Sequence, residues 1–403
     1  QSALEKGSIT AEFARHICKN CNHETALPVC EQCDKPAQRM WHCKGCNAWI
    51  MEEKCSQHGE TTAHKEMKID AKKYFESAVN KIKMRNYPEL IKGVKGTSNK
   101  DHVAEHLAKG ILRAKHQVTV NKDGTVRYDM TQLPVTHFKP KEVGTSIARL
   151  KELGYEKDAY GNVLERDDQI LEILPQDVIL PDCDVSPDEG SAAALTRIAN
   201  FIDDELTNLY GLEPYYSIKS AEDLVGHLVI GLAPHTSAGI VCRIIGFSKT
   251  QGFFASPYIH AATRRDCDGD EACTLLLMDA FLNFSKKYLP STRGATMDAP
   301  LVLTSILAPA EVDDMVLDLD IAWQYPLELY EAALQFKMPW EIKLKQIKHM
   351  SYYTFVSGSP TWLQPGTADS GWDSWKEAWQ NPRHPIQLQL LARNPSYPDD
   401  GNW

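Results

Sequence analysis

The run Arg264-Arg265-Asp266-Cys267-Asp268-Gly269-Asp270-Glu271 sets carboxylates at alternate positions behind two arginines. A glycine between Asp268 and Asp270 suits a tight loop that turns both carboxylates to one side. Mg²⁺ prefers hard oxygen ligands and commonly takes one or two carboxylates, leaving its other positions to water and phosphate. Two such ions about 3.5–4 Å apart stabilise both the attacking and the leaving oxygen. Arg264 and Arg265 are placed to hold phosphate through paired hydrogen bonds. The chemistry indicated is metal-dependent phosphoryl or nucleotidyl transfer, with Asp268 and Asp270 as ligands and Asp266 as a further one. A plainer reading is an acidic start to a helix over 271–288, favoured by the helix dipole. A calcium loop fails, because its last carboxylate would fall where Thr274 to Leu277 stand.

The second set of chemical residues is sulfur-rich. Seven of the eleven cysteines lie between positions 18 and 55. Cys18 and Cys21, Cys30 and Cys33, and Cys43 and Cys46 are three CxxC pairs, and Cys55 with His58 makes a CxxH. Two residues between ligands allow a tight turn that aims both side chains at one ion, and two such turns complete a tetrahedron. The spacing therefore predicts two closed, structural Zn²⁺ sites: Cys18, Cys21, Cys30 and Cys33 in one, Cys43, Cys46, Cys55 and His58 in the other. His16, His23 and His42 stand beside these ligands as substitutes of lower rank. Lys19, Lys35, Arg39 and Lys44 would decorate the module, which either touches nucleic acid or clips larger domains together. Disulfides are the poorer account, since nothing else in the chain reads as secreted.

Other motifs are weaker. His227, His235 and His260 lie ahead of the acidic loop in sequence, and His235 and His260 join the arginines as candidate phosphate or DNA contacts, although a lone histidine is more often structural. Pro234 to Gly239 reads as a helix start able to cradle phosphate, or as a simple cap. No Walker-A loop, dinucleotide-binding glycine pattern or nucleophile elbow occurs.

These residues need a frame. The pattern predicts helix around Thr10 to His16, from about Asp70 past Ile82, over Lys100 to His116, and over Lys141 to Leu153 with Gly154 as its stop. Asn121-Lys122-Asp123-Gly124 between Val118–Val120 and Val126–Tyr128 signals a hairpin. Gln169 to Leu180 reads as a strand broken at Pro175, and Leu228 to Leu232 and Leu301 to Leu303 as short buried strands. Ser186-Pro187-Asp188-Glu189 predicts a helix start, with Gly211 as the stop. Glu271 to Tyr288 reads as helix, with Leu275, Met278, Phe281 and Leu282 on one face. From about Gly358 the chain is rich in Pro, Trp, Gly and Asn and holds five of nine tryptophans, so it reads as irregular.

Composition fits several soluble domains: 403 residues, 43% hydrophobic and 24% charged. The apolar runs are too short to span a bilayer, and no signal segment opens the sequence; a cytoplasmic location is expected. Residues 1–160 hold 27 Lys and Arg against 20 Asp and Glu, whereas residues 161–403 hold 17 against 34. A basic front half facing phosphates and an acidic back half holding metal would fit this split, as would ordinary drift of surface charge.

Several long motifs resemble the large subunit of archaeal family D DNA polymerases. They are Leu224–His227, Gly231–Gly239, Arg243–Phe247, His260–Ala262, Arg264–Glu271, Met297–Val302, Pro326–Tyr330 and, upstream, Thr136–Pro140. The similarity extends over roughly residues 5–350. It implies a mixed α/β fold with a double-psi β-barrel catalytic core and attached zinc-ribbon modules. The implied division is a lead-in at 1–17, a tandem zinc module at 18–60 and a helical and hairpin connection at 61–165. A catalytic barrel with the Asp loop follows at 166–345, and an irregular tail at 346–403. The implied reaction is template-directed DNA synthesis with Mg²⁺ on Asp268 and Asp270. Implied partners are primer-template DNA, deoxynucleoside triphosphates, a small proofreading subunit and a sliding clamp. The family more often has Asn where Asp266 stands and an acid where Ala272 stands. A basic segment is expected ahead of Gln1 and a further zinc module downstream, so this chain is expected to be a fragment that does not extend a primer alone. The alternatives are a non-catalytic zinc-ribbon scaffold that binds nucleic acid or a subunit, and another metal-dependent phosphotransferase or nuclease.

Overall fold

The computed structural model of the chain describes residues 2–94, 103–234, 236, 238–265, 269–285, 288, 302–307, 312–321 and 325–349. Of the expected tail, residues 350–403 lie outside them. After a short helix α1 (Ser2–Lys6), the first strand β1 (Ile9–Ala14) pairs antiparallel with β7 (His64–Ile69), from Ile9↔Ile69 to Ala14↔His64. The stretch expected as helix near Thr10 is thus a strand, because its partner lies far along the chain, where local periodicity cannot see it. Between the two strands sit β2 (His16–Cys18), β3 (Glu24–Thr25), β4 (Ala37–Arg39), β5 (Trp41–Cys43) and β6 (Ala48–Ile50). The cysteine-rich module is thus an insertion in a two-stranded ribbon.

Helix α2 (Ala71–Lys81) starts at Asp70, whose carboxylate accepts the Lys73 amide at 3.0 Å. It anchors the module: the Tyr74 hydroxyl is 3.2 Å from Thr25 Oγ1 and accepts the Ala26 amide at 3.2 Å. Helix α3 (Leu107–Lys115) is shorter than the stretch expected from Lys100. The Asn121–Gly124 turn forms, but without flanking hairpin strands; β8 (Tyr128–Pro134) begins at Tyr128 and pairs elsewhere. A small pair, β9 (His137–Phe138) and β10 (Leu171–Glu172), follows. The helix expected over Lys141–Leu153 is split into α4 (Pro140–Val143) and α5 (Ile147–Glu152), with Ser146 capping the second through the Arg149 amide.

Strands β11 (Asp177–Pro181), β12 (Leu228–Leu232), β13 (Ala238–Ser248), β14 (Phe253–Ala255) and β15 (Glu271–Leu276) join β8 in the order β11-β14-β8-β15-β12-β13, and β13 pairs back to β11. Six strands therefore close a barrel, with β16 (Val302–Thr304) beside β13. One strand, β8, comes from residues expected in the connecting region, so the boundary expected at 166 does not separate the barrel. Three buried clusters divide its side chains. Val178, Leu180, Val229, Cys242, Ile244 and Phe253 belong to one; Ile179 and Ile245 pack on Phe138 and Leu150 in the second; Leu228, Ile230, Leu232, Val241 and Leu275 form the third. Strands β11, β12, β13 and β15 are buried on nearly every residue, whereas β8 alternates and β16 is largely exposed rather than buried as expected. Each fully buried Leu, Ile or Val stabilises by roughly 1.5–3 kcal/mol.

The barrel closes where Asp177 faces Arg243. Arg243 Nε and Nη2 donate to the two carboxylate oxygens at 2.8 Å each, and Tyr155 Oη donates to the same carboxylate at 2.7 Å. All three residues are buried, so both charges are compensated where no water reaches them.

Helix α6 (Ser191–Asp204) starts behind Gly190 rather than at Ser186. The expected capping sequence stays outside the helix as a bend, and Glu189 pairs with Arg197 on that helix. A π-helical turn, Glu205–Tyr210, continues it to Gly211. Helix α7 (Pro257–Ala262) precedes the acidic loop, while α8 (Leu277–Asn283) follows β15, and α9 (Leu327–Leu334) lies near the end. The segment expected as one helix from Glu271 is thus a strand followed by a helix. Below α8, Asp279 accepts from the Val126 amide at 2.6 Å and from Asn283 at 2.8 Å, and Asn283 also reaches Glu205 and Lys109 at 2.8 Å each. No helix among the described residues is long and apolar enough to cross a membrane.

Candidate metal centres and the acidic loop

Each cysteine pair sits on the same short turn. Cys18 and Cys30 accept the amides of Asn22 and Asp34 at 3.0 Å each, and Cys55 accepts that of Gly59 at 2.9 Å. The residue after the second ligand is left-handed in all four turns: Asn22, Asp34, Asn47 and Gly59, at φ 55°, 55°, 51° and 75°. Asn, Asp and Gly are the residues that enter this region at least cost. Gly45 serves a different need, because a Cβ there would come within 2.5 Å of the His58 ring.

The ligand atoms of Cys18, Cys21, Cys30 and Cys33 lie within 4.8 Å of one another, and so do those of Cys43, Cys46, Cys55 and His58. A zinc ion with ligand bonds of ~2.3 Å holds its sulfurs about 3.8 Å apart at tetrahedral angles. Cys18–Cys33, Cys21–Cys30 and Cys46–Cys55 are separated by 3.4, 3.6 and 3.7 Å, and His58 Nδ1 lies 3.3 Å from Cys46 Sγ. Both donor sets fit zinc. Backbone amides lower the thiols of Cys18 and Cys55 to about 6, whereas burial raises Cys30 to about 12 and the neighbouring Cys55 thiol raises Cys46 to about 11. His16, His23 and His42 stay outside both groups; His23 pairs with Glu31 at 2.7 Å and His42 packs on Trp49.

The acidic loop is launched by α7. Ser256 caps the helix through the Tyr258 amide, and Pro257 occupies its first position. At the far end the Arg264 amide donates to Ala261 O at 2.9 Å, and the Arg265 amide to His260 O at 3.0 Å. This double closure requires a left-handed residue, normally glycine. Here it is Arg264, at φ 57°. The loop returns through Gly269, at φ 103°, and the Asp270 carbonyl accepts the Gln132 amide at 2.9 Å, extending the β8–β15 ladder. Arg265 Nη1 stands 3.8 Å from Asp270 Oδ2.

Arg264, Arg265 and Asp270 are therefore gathered at one place, with Arg264 exposed and the other two partly so. The Asp270 carboxylate is a partly exposed hard-oxygen donor, of the kind Mg²⁺ takes. Asp266, Asp268 and His235 lie outside the described residues. Residues Ala238 to Ser248 form β13, so the chain after the expected helix start at Pro234 continues as strand and not as the helix that a phosphate cradle would need. His260 differs from the expectation of a DNA contact. It is fully buried, Nδ1 lies 3.2 Å from Gln132 Oε1, and burial pushes its pKa down to about 4. A ring enclosed in this way has no face to offer a phosphate. Gln132 was not singled out by sequence, although a polar residue two positions after the inward-facing Met130 of a strand is a readable sign.

The description "DNA polymerase II large subunit DP2, catalytic domain" is that of the family model matching residues 83–352. This chain belongs to the family of DNA polymerase II large subunits. The matched span contains the whole barrel and the acidic loop. A DNA polymerase II large subunit of Archaeoglobus fulgidus is 48% identical over 340 residues, 84% of this chain and 29% of its own length. One from Nanoarchaeum equitans is 46% identical over 83% of this chain and 30% of its own length. One from Methanococcus vannielii is 50% identical over 74% and 26%. The chain thus spans under a third of these large subunits. The archaeal family D resemblance of the sequence motifs holds.

Proposed function

We propose that this chain carries the metal-holding part of a nucleotidyl-transfer site in a DNA-directed DNA polymerase. Support comes from one observation above all: Asp270, at the entry to barrel strand β15, stands 3.8 Å from Arg265, just past the end of α7, in a chain of the large-subunit family. Asp268 and Asp270 hold Mg²⁺, with Asp266 as an additional ligand; the ion, when bound, polarises the α-phosphate and acidifies the primer 3′-hydroxyl. Arg264 and Arg265 orient the triphosphate. The barrel is of the double-psi kind, the cysteine module of residues 18–60 is a structural two-zinc unit, and the protein acts in the cytoplasm. Its partners are primer-template DNA, deoxynucleoside triphosphates, a sliding clamp and a smaller proofreading subunit, the last in keeping with the name "large subunit" of its relatives.

The test is made in the full-length polymerase. Asp268→Asn and Asp270→Asn each remove an anionic ligand at constant size, so nucleotide addition should vanish while DNA binding persists. DNA affinity, which rests on Lys and Arg against phosphate, should fall steeply with salt. Near-normal primer extension by either variant would rule the metal site out.

A further inference from the structure

We propose that Gln132 and His260 are positioning residues that fix the separation between the two ends of the acidic loop; this rests on the metal-site reading above. Four contacts form a closed circuit. The Arg265 amide, at the start of the loop, is bonded to the His260 carbonyl at 3.0 Å. The His260 ring meets the Gln132 side chain at 3.2 Å through Nδ1 and Oε1. The Gln132 amide is bonded to the Asp270 carbonyl, at the end of the loop, at 2.9 Å. Arg265 and Asp270 then face each other across 3.8 Å. Only one of these links, His260 to Gln132, joins two side chains that are both shielded from solvent, at 0% and 1% exposure.

The enclosure decides the role. Neither side chain can reach DNA, nucleotide or a metal ion, so any effect on chemistry passes through the loop ends that they hold. Gln132 Oε1 is an acceptor, so Nδ1 of the neutral ring carries the proton of that bond. The remaining backbone links would survive loss of this bond, because α7 and the β8–β15 ladder are held by other contacts. Pairing of β14 with β8 keeps α7 beside β8; what would be lost is the side-chain brace across the base of the loop, and with it the register of Asp270 against its neighbours. Groups that orient metal ligands from behind commonly alter metal affinity 10–100-fold.

The experiment titrates Mn²⁺ into the zinc-loaded chain, reading free Mn²⁺ by electron paramagnetic resonance, and measures the Mg²⁺ dependence of primer extension by the full-length polymerase. Gln132→Met keeps volume and removes the acceptor; His260→Phe keeps a ring and removes the donor. Each should raise the Mn²⁺ midpoint roughly tenfold and shift the Mg²⁺ requirement by a similar factor. His260→Asn, which keeps a donor near the position of Nδ1, should stay within about twofold of the parent. Thermal stability is recorded for all three, since a purely packing role would lower it with no change in either titration; that result would overturn the proposal. Should His260→Phe fail to fold, Gln132→Met decides alone. Asp270→Asn separates the two readings. If it leaves Mn²⁺ binding intact, the metal site itself is misplaced; if it abolishes binding while Gln132→Met does nothing, only the positioning role fails.

Discussion

Arg265 Nη1 lies 3.8 Å from Asp270 Oδ2, joining a cation at one end of the acidic loop to a carboxylate at the other. Both side chains are about one-third exposed, at 31% and 38%, so the pair contributes no more than about 1 kcal/mol to stability. Its importance is chemical. On the proposed reading, a guanidinium there competes with a cation for Asp270 and stands beside the incoming phosphate oxygens. Arg265→Gln should therefore unfold within about 1 kcal/mol of the parent and bind Mn²⁺ at least as tightly. Its apparent affinity for deoxynucleoside triphosphate in primer extension should fall roughly tenfold or more, the loss of a charge-assisted hydrogen bond. Weaker Mn²⁺ binding by this variant would contradict the arrangement.

Arg264 occupies a left-handed position that costs a side-chain-bearing residue about 1–2 kcal/mol. Glycine would relieve that strain and give back about 0.5–1 kcal/mol through its greater freedom when unfolded. Arg264→Gly is expected to raise stability by roughly 0.5–1 kcal/mol while lowering nucleotide addition. Chemical denaturation checks the first half and primer extension the second. A less stable glycine variant would mean that no strain is held there.

Eight ligands in two compact groups predict two zinc ions per chain. Protein purified without chelator should give that ratio by elemental analysis; one ion or none would refute it. Structural zinc contributes on the order of 10 kcal/mol to folding a small module. Chelation should accordingly melt the ribbon of β1 and β7 together with the module, and Cys43→Ser should cost one ion rather than both.

At the barrel seam, truncating one member of the Asp177–Arg243 pair strands a buried charge. Asp177→Ala or Arg243→Ala should cost about 3–5 kcal/mol, read as a large fall in urea midpoint. The joint replacement Asp177→Leu with Arg243→Met should recover much of the loss, since no charge is left behind. Additive losses in the joint variant would argue against a compensated pair.

Asp279 supplies a pH signature. Burial raises it to about 7, against 3.8 for a free carboxyl. Between those values the folded chain holds a proton that the unfolded chain releases, so unfolding sheds a proton and stability falls as pH rises. Asp279→Asn lacks this dependence. From pH 5 to 7 the parent should lose stability relative to the variant, by on the order of a few kcal/mol, with no further change above pH 8. A difference that grows in the other direction would mean that Asp279 is ionised when buried.

Local features were the legible ones. The three cysteine pairs with the Cys55–His58 pair, the helix from about Asp70, the Gly211 stop and the strand at Leu228 all follow from residues close in sequence. The misread segments share one cause. Strand β15 is buried on nearly every residue, and a strand covered on both faces has no alternation to distinguish it from helix. Ala11-Glu12-Phe13-Ala14 suits a helix by propensity, yet β7 supplies a partner 50 residues or more away in the register. The acidic loop was visible because its chemistry is written in consecutive residues. Gln132 and the burial of His260 were not, since each depends on strands and helices that meet only in the closed barrel.

That closure has a consequence for synthesis. Strand β8 ends at Pro134, but its neighbours β14 and β15 begin at Phe253 and Glu271, so both edges of β8 emerge long before either partner. At roughly 5–20 residues per second, this unpaired strand would wait on the order of ten seconds outside the ribosome with its hydrogen bonds open. The zinc module, finished by Ile69, can fold well before then. The interval is when nascent chains are most exposed to mispairing with one another, and faster translation or a bound chaperone should matter there more than anywhere else in the chain.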